Sequence, residues 1–201
     1  MKSKMISLSP FGGEGKGLRI GITIFLLSFL CLPVHAAQWI VDKAKSHLGF
    51  SVQWQDHPLL GEFKSWDADI AFDPADLEHA KATVKVDIAS VTLGSDEMDQ
   101  GVKGAQGFDA DNYSTATFET TWFRATGKHA YEARGNLTLH GVTRAITLPF
   151  KLDIKNDIAH MIGTAAVTRT DFRVGMGQWA TDNPVARLVT VTIDLTAKKT
   201  K

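Results

Sequence analysis

Apolar residues fall on every second position in run after run of this chain, and that period is the strongest constraint on its fold. In "HLGFSVQW", Leu48, Phe50, Val52 and Trp54 share one face. Trp66, Ala68, Ile70 and Phe72 do the same, then Ala82, Val84, Val86 and Ile88, then Ala116, Phe118, Thr120 and Trp122. Tyr131, Ala133, Leu137 and Leu139 follow, and after them Ile146, Leu148, Phe150, Leu152 and Ile154. "AHMIGTAAV" and "RLVTVTIDL" carry the period almost to the end. Successive side chains of a strand point to opposite faces, so this pattern specifies half-buried antiparallel strands. Turn residues punctuate it at Asp73-Pro74-Ala75-Asp76, Asn156-Asp157 and Asp182-Asn183-Pro184.

One stretch breaks the period: "GSDEMDQGVKGAQGFDADNYS", residues 94–114. Ser95 is placed to cap a short helix through Met98 and Val102, with Glu97 in its acidic first turn. Gly101, Gly104 and Gly107 keep that helix short. Strands of this number around one short helical insertion imply an all-β fold. An antiparallel eight-stranded barrel is favoured over a sandwich because closure removes exposed sheet edges. Such a barrel either packs solid or holds one ligand, and periodicity does not choose between the two.

The first 36 residues read as a secretory signal peptide. Lys2, Lys4, Lys16 and Arg19 precede an apolar stretch from Ile20 to Leu32, and Val34-His35-Ala36 supplies small residues for cleavage after Ala36. Residues 37–201 are then one domain, expected in the periplasm. Cys31, the single cysteine, lies in the leader and follows Leu30, where a lipoprotein signal needs a small residue. Residues 37–201 therefore contain no thiol for disulfides, thiolate metal sites or cysteine nucleophiles. The zero formal charge also changes once the leader is set aside: 18 basic residues remain against 21 acidic ones. With no basic block except the terminal "KKTK", nucleic-acid binding is not expected.

A search for reactive groups yields little. His47, His57, His79, His129, His140 and His160 form no metal-binding spacing, and no G-x-S-x-G elbow is present. "GMGQWA", 175–180, matches a dinucleotide fingerprint only nominally, since a turn follows it where a helix is required. Asp67 and Asp69 share a solvated strand face. Asp171, between Arg169 and Arg173, reads as a salt-bridged structural residue. His140-Gly141 reads as a hairpin bend between two alternating runs, with Gly141 free to take positive φ. Whether His140 can touch a ligand depends on which barrel end carries that bend.

Several segments together resemble the YceI-like family of lipid-binding, lipocalin-like barrels. The resemblance runs from Trp39 to about Ala197, through "WIVDKAKSHLGFSV", "GEFKSWDADIAFDP", "VKVDIASVTLGSDEMD", "GFDADNYSTATFET", "GNLTLHGVTRAITLPF", "TRTDFRVG" and "VTVTIDLTA". Two features depart from the family pattern: Ser114 stands where a proline is common, and "QGVKGAQGFD" is glycine-rich. The resemblance implies a barrel around an apolar tunnel that takes polyisoprenoid chains, isoprenoid quinones among them, with no catalytic residues.

The reading that follows is a periplasmic, non-catalytic binder or transporter of a polyisoprenoid or other long-chain lipid, without a metal or resident cofactor. Its wall is expected to draw on Phe50, Trp54, Phe72, Phe118, Trp122, Leu137, Leu139, Phe150, Phe172 and Trp179. Two rivals stand beside it. One is an accessory partner of a membrane redox protein, handling an isoprenoid quinone. The other is an enzyme acting on a lipid head group, which needs His140 to converge with Asp171 or Arg169.

Overall fold

The computed structural model describes residues 36–200. The leader, and with it the expected signal peptide and Cys31, lies outside the described residues. Eleven strands form one closed antiparallel sheet: β1 (Gln38–Val41), β2 (His47–Trp54), β3 (His57–Phe63), β4 (Trp66–Ala71), β5 (Lys81–Asp87), β6 (Val91–Thr92), β7 (Thr115–Gly127), β8 (Ala130–Leu139), β9 (Val142–Lys155), β10 (Ile158–Thr168) and β11 (Val185–Lys199). Three of the staves are bent. β1 and β2 are joined through a 3₁₀ turn at Lys43–Lys45 and both pair with β11. β3 and β4 follow them across the hairpin, and β5 and β6 are split by a second 3₁₀ turn at Ile88–Ser90. Counted as staves, these three and the five long strands make eight, each paired with its neighbour in sequence and the last with the first. The eight-stranded antiparallel barrel expected from the period is the fold.

The alternating residues point where the period places them. Leu48, Phe50, Val52 and Trp54 of β2 face inward, as do Val84 and Val86 of β5, Leu148, Phe150 and Leu152 of β9, and Val191, Ile193 and Leu195 of β11. Close approach of chain to side chain is needed at Gly61, where a Cβ would lie 2.2 Å from Cζ of Phe50. The bare backbone there lets the ring lie across β3.

The break in the period is also where expected. Helix α1 (Asp96–Lys103) begins at Ser95, whose Oγ accepts a hydrogen bond from Met98 N at 3.4 Å. Asp99 Oδ1 accepts from Leu93 N at 2.6 Å and ties the helix to the end of β6. The loop after it returns over the barrel, with Phe108 set edge-on to both Phe50 and Phe63.

Candidate functional site

The strand directions sort the connections into two ends. One end carries the turns at 72–80, 128–129 and 156–157. The other carries α1 with its loop, the His140-Gly141 bend and the 169–184 segment. Between them the interior is hollow, with a cavity of about 670 Å³ running the length of the barrel. That volume falls in the range of small-molecule pockets, roughly 300–1,000 Å³. The sheet does not pack solid because the inner face mixes large rings with small residues: Ala82, Ala116, Ala133, Ala159, Ala165 and Ala197 all line the void.

Apolar side chains make up nearly the whole wall. Among the described residues, its charged members are Glu97 and Arg169, and its amides are Gln106 and Gln178. All four belong to the α1 end. Thr120 is the one polar side chain deeper in the wall, and its hydroxyl is bonded to both Ala82 N (2.8 Å) and Ala82 O (3.2 Å). No group of three or more His, Cys, Asp or Glu side chains able to hold a metal ion is found among the described residues.

The far end is stoppered by aromatic rings. Trp39 Nε1 donates to Phe72 O at 2.8 Å, and Phe72 stands edge-on to Phe123, Tyr131 and Phe150. Leu77 and Ala80, from the connection between β4 and β5, complete the stopper. The α1 end carries the wall's charged and amide side chains. Gln106 Oε1 accepts from Gln178 Nε2 at 3.3 Å and from Trp179 Nε1 at 3.2 Å, so the helical excursion and the 176–180 turn are bridged across the opening. Trp179 packs against Trp54, with ring centroids 5.7 Å apart.

Arg169 holds the 173–186 segment in shape. It is only 7% exposed, and no carboxylate partners it. Its Nε donates to Ala186 O at 3.0 Å. Nη1 donates to Val174 O (3.1 Å) and Gly175 O (2.6 Å). Nη2 donates to Trp179 O, Thr181 O (3.2 Å) and Val185 O (2.8 Å). Burial lowers its pKa from the ordinary arginine value, while Asp182 nearby supplies opposing charge. The ion pair expected around Asp171 does not form, because Arg169 spends its donors on main-chain carbonyls and Asp171 stays exposed. Arg187 pairs instead with Asp182, through Nε at 3.0 Å and Nη2 at 2.7 Å, and this holds the Asp182 carboxyl down at about 2.

Of the ten residues anticipated for the wall, Phe50, Trp54, Phe72, Phe118, Leu137, Leu139, Phe150 and Trp179 line the cavity. Two do not. Trp122 faces outward at 36% exposure, over Arg124. The ladder between β7 and β8 shifts register between Thr120 and Trp122, so the extra residue Thr121 reverses the phase and sends Phe123 inward in place of Trp122. Phe172 ends a 3₁₀ turn (Arg169–Phe172), where period two does not apply. It is 2% exposed, packed with Val167 and Val174 in a separate cluster that Ile146 and Val142 complete.

His140 and Gly141 form a two-residue bend with φ of 50° and 70°, at the α1 end. His140 does not line the cavity. Its ring lies on Tyr113, with centroids 4.2 Å apart, and its Nδ1 is buried without a hydrogen-bond partner. A Cβ on Gly141 would come within 2.7 Å of the same tyrosine. His140, Asp171 and Arg169 do not converge on a common point in the cavity. Of the opening's polar groups, sequence reasoning named Arg169, as a partner for His140 that it does not meet, and missed Gln106, Gln178 and Glu97, since nothing in a polar loop indicates which side chains fold back over a barrel.

This is the class of hollow up-and-down barrels, with an apolar interior and polar groups at one end. Within it, the model of the YceI-like domain matches residues 39–197, and the chain belongs to the YceI-like family. A UPF0312 protein of Vibrio cholerae is 30% identical over 132 residues, which is 63% of this chain and 70% of the relative. BcnA of Burkholderia cenocepacia superposes with a TM-score of 0.77 at 31% identity, over 79% of this chain and 100% of BcnA. A polyisoprenoid binding domain from Saccharophagus degradans, implicated in plant cell wall breakdown, shares the fold with a TM-score of 0.65 at 18% identity, over 83% of this chain and 100% of that domain.

Proposed function

We propose that the protein binds a polyisoprenoid or comparable long-chain lipid inside the barrel, without chemical turnover, after export to the periplasm. The observation that carries this reading is the full-length apolar cavity whose polar groups are confined to one end. A long tail fits such a shape, with its head left at the opening. Each buried five-carbon unit would contribute up to ~3–4 kcal/mol at about 0.8 kcal/mol per CH₂. Ordering a flexible chain offsets much of that, so several units are needed for firm binding. The polyisoprenoid binding domain that shares the fold supports this ligand class. Among the described residues the wall's two charged side chains, Glu97 and Arg169, lie at the α1 end, and the apolar length between the ends suits a carried tail.

Organic extraction of protein purified from its native compartment, followed by mass spectrometry, tests the reading. A long-chain lipid should be recovered in near-stoichiometric amount. It should be lost when Ala165→Phe fills the middle of the void while the barrel stays folded by circular dichroism. Recovery of no lipid, with no uptake of an added polyprenyl lipid, would overturn the reading.

A further inference from the structure

We propose that the opening selects lipids with an uncharged hydrogen-bonding head, such as an alcohol or a quinone carbonyl, and discriminates against phosphorylated heads. This rests on the lipid-binding reading above and concerns the same site. A phosphate or diphosphate brought to the opening needs cations or free N–H donors, because burying an unpaired charge is costly. Among the described residues the wall holds one cation, Arg169, and every nitrogen of its guanidinium is already engaged by carbonyls of Val174, Gly175, Trp179, Thr181, Val185 and Ala186. No N–H of that side chain is left over for a ligand. Recruiting it would strip the 173–186 segment of its internal bonds.

The other features of the opening disfavour an anion as well. Glu97 is the second charged wall residue, and Asp96, Glu97 and Asp99 together make the first turn of α1 acidic. The helix N-terminus, a common anion site elsewhere, is capped by Ser95 and surrounded by those carboxylates. Asp182 is committed to Arg187. Among the side chains that line the wall, what remains free to exchange partners is neutral: the amides of Gln106 and Gln178, bridged to one another at 3.3 Å, and the indole N–H of Trp179. Amides both donate and accept, so they match a hydroxyl or a carbonyl without demanding charge. The wall therefore grips the tail, and this pair reads the head.

The test is a titration of delipidated protein with four lipids of one tail length: a polyprenyl alcohol, an isoprenoid quinone, a polyprenyl monophosphate and a polyprenyl diphosphate. Intrinsic fluorescence reports binding, because Trp54 and Trp179 stand at the opening. The alcohol and the quinone should bind about tenfold or more tightly than the diphosphate, with the monophosphate between them. Glu97→Lys adds a free cation on an exposed helix turn and should narrow that gap by strengthening the diphosphate. Gln178→Leu should weaken the alcohol several-fold and leave the barrel folded. Diphosphate binding as tight as or tighter than the alcohol in the unaltered protein would overturn the selectivity while leaving the lipid-binding reading intact. Failure of all four lipids to bind would overturn both.

Discussion

At the end that carries the 72–80 connection, Trp39, Phe72, Phe123, Tyr131 and Phe150 close the barrel with rings and the buried hydrogen bond from Trp39 Nε1 to Phe72 O. At the opposite end, a short helix, a 3₁₀ turn and a bend are held by hydrogen bonds among amides, carbonyls and one buried guanidinium. Burial of apolar area is non-directional and tolerates no water, so the ring-packed end resists opening. Hydrogen bonds exchange readily with water or a ligand head, so the polar end opens at smaller cost. A container needs both: a floor that fixes how deep the tail reaches, and a rim that can part.

The largest effect should come from the floor. Phe72→Ala removes the ring that Phe123, Tyr131 and Phe150 surround, and should destabilise the fold by about 3–5 kcal/mol in denaturant unfolding. A loss below about 1 kcal/mol would mean that the floor is as soft as the rim. Next in size is Arg169→Met. It leaves the carbonyls of the 173–186 segment without their donor, at about 2–3 kcal/mol. Amide exchange should locate that loss in 173–186 and spare β4 and β5. Uniform loss of protection through the barrel would break the contrast between the ends.

Acid and alkali should act on opposite ends. The folded-state pKa of Asp182 is depressed to about 2 by its hydrogen bonds and ion pair with Arg187. Its stabilising contribution is complete above the unfolded carboxyl pKa, about 4, and fades as pH falls from there toward 2. His79, on the connection at the floor, is raised above 6.5 by hydrogen bonding and charge attraction to Asp76. Its contribution is complete below about 6.5 and is lost as pH rises through the folded value. Asp182→Asn should flatten the acid limb of exchange in the 176–186 segment, and His79→Gln the neutral-to-alkaline limb in 72–80. Both groups are exposed, so each effect is small. A limb that moves in the other variant would refute the assignment.

Much of this was legible in the chain. Period two located the barrel, its inner faces and the interruption at 94–114, because each strand is wet on one side and dry on the other. The hollow interior was not legible, since the same pattern serves a solid core. Its physical cause is the set of alanines on the inner face of β5, β7, β8, β10 and β11. The rim was not legible either. Gln106 and Gln178 are 72 residues apart and meet only because two polar loops fold over one opening.

The smallest effect tests the one place where the inner face itself was misplaced. Counting by twos from Ala116 assigns Trp122 to the floor's inner side, and the bulge at Thr121 gives that side to Phe123 instead. Trp122 keeps only an exposed approach of Arg124 to its ring, 5.6 Å from the centroid, a contact of about 0.5–1 kcal/mol. Trp122→Ala should therefore cost under about 1 kcal/mol and leave lipid uptake unchanged. Phe123→Ala, one residue on, should approach Phe72→Ala in cost, because it opens the same ring cluster from β7. Equal costs at 122 and 123 would mean that the bulge does not fix the phase in solution. The floor would then be built from a different set of rings.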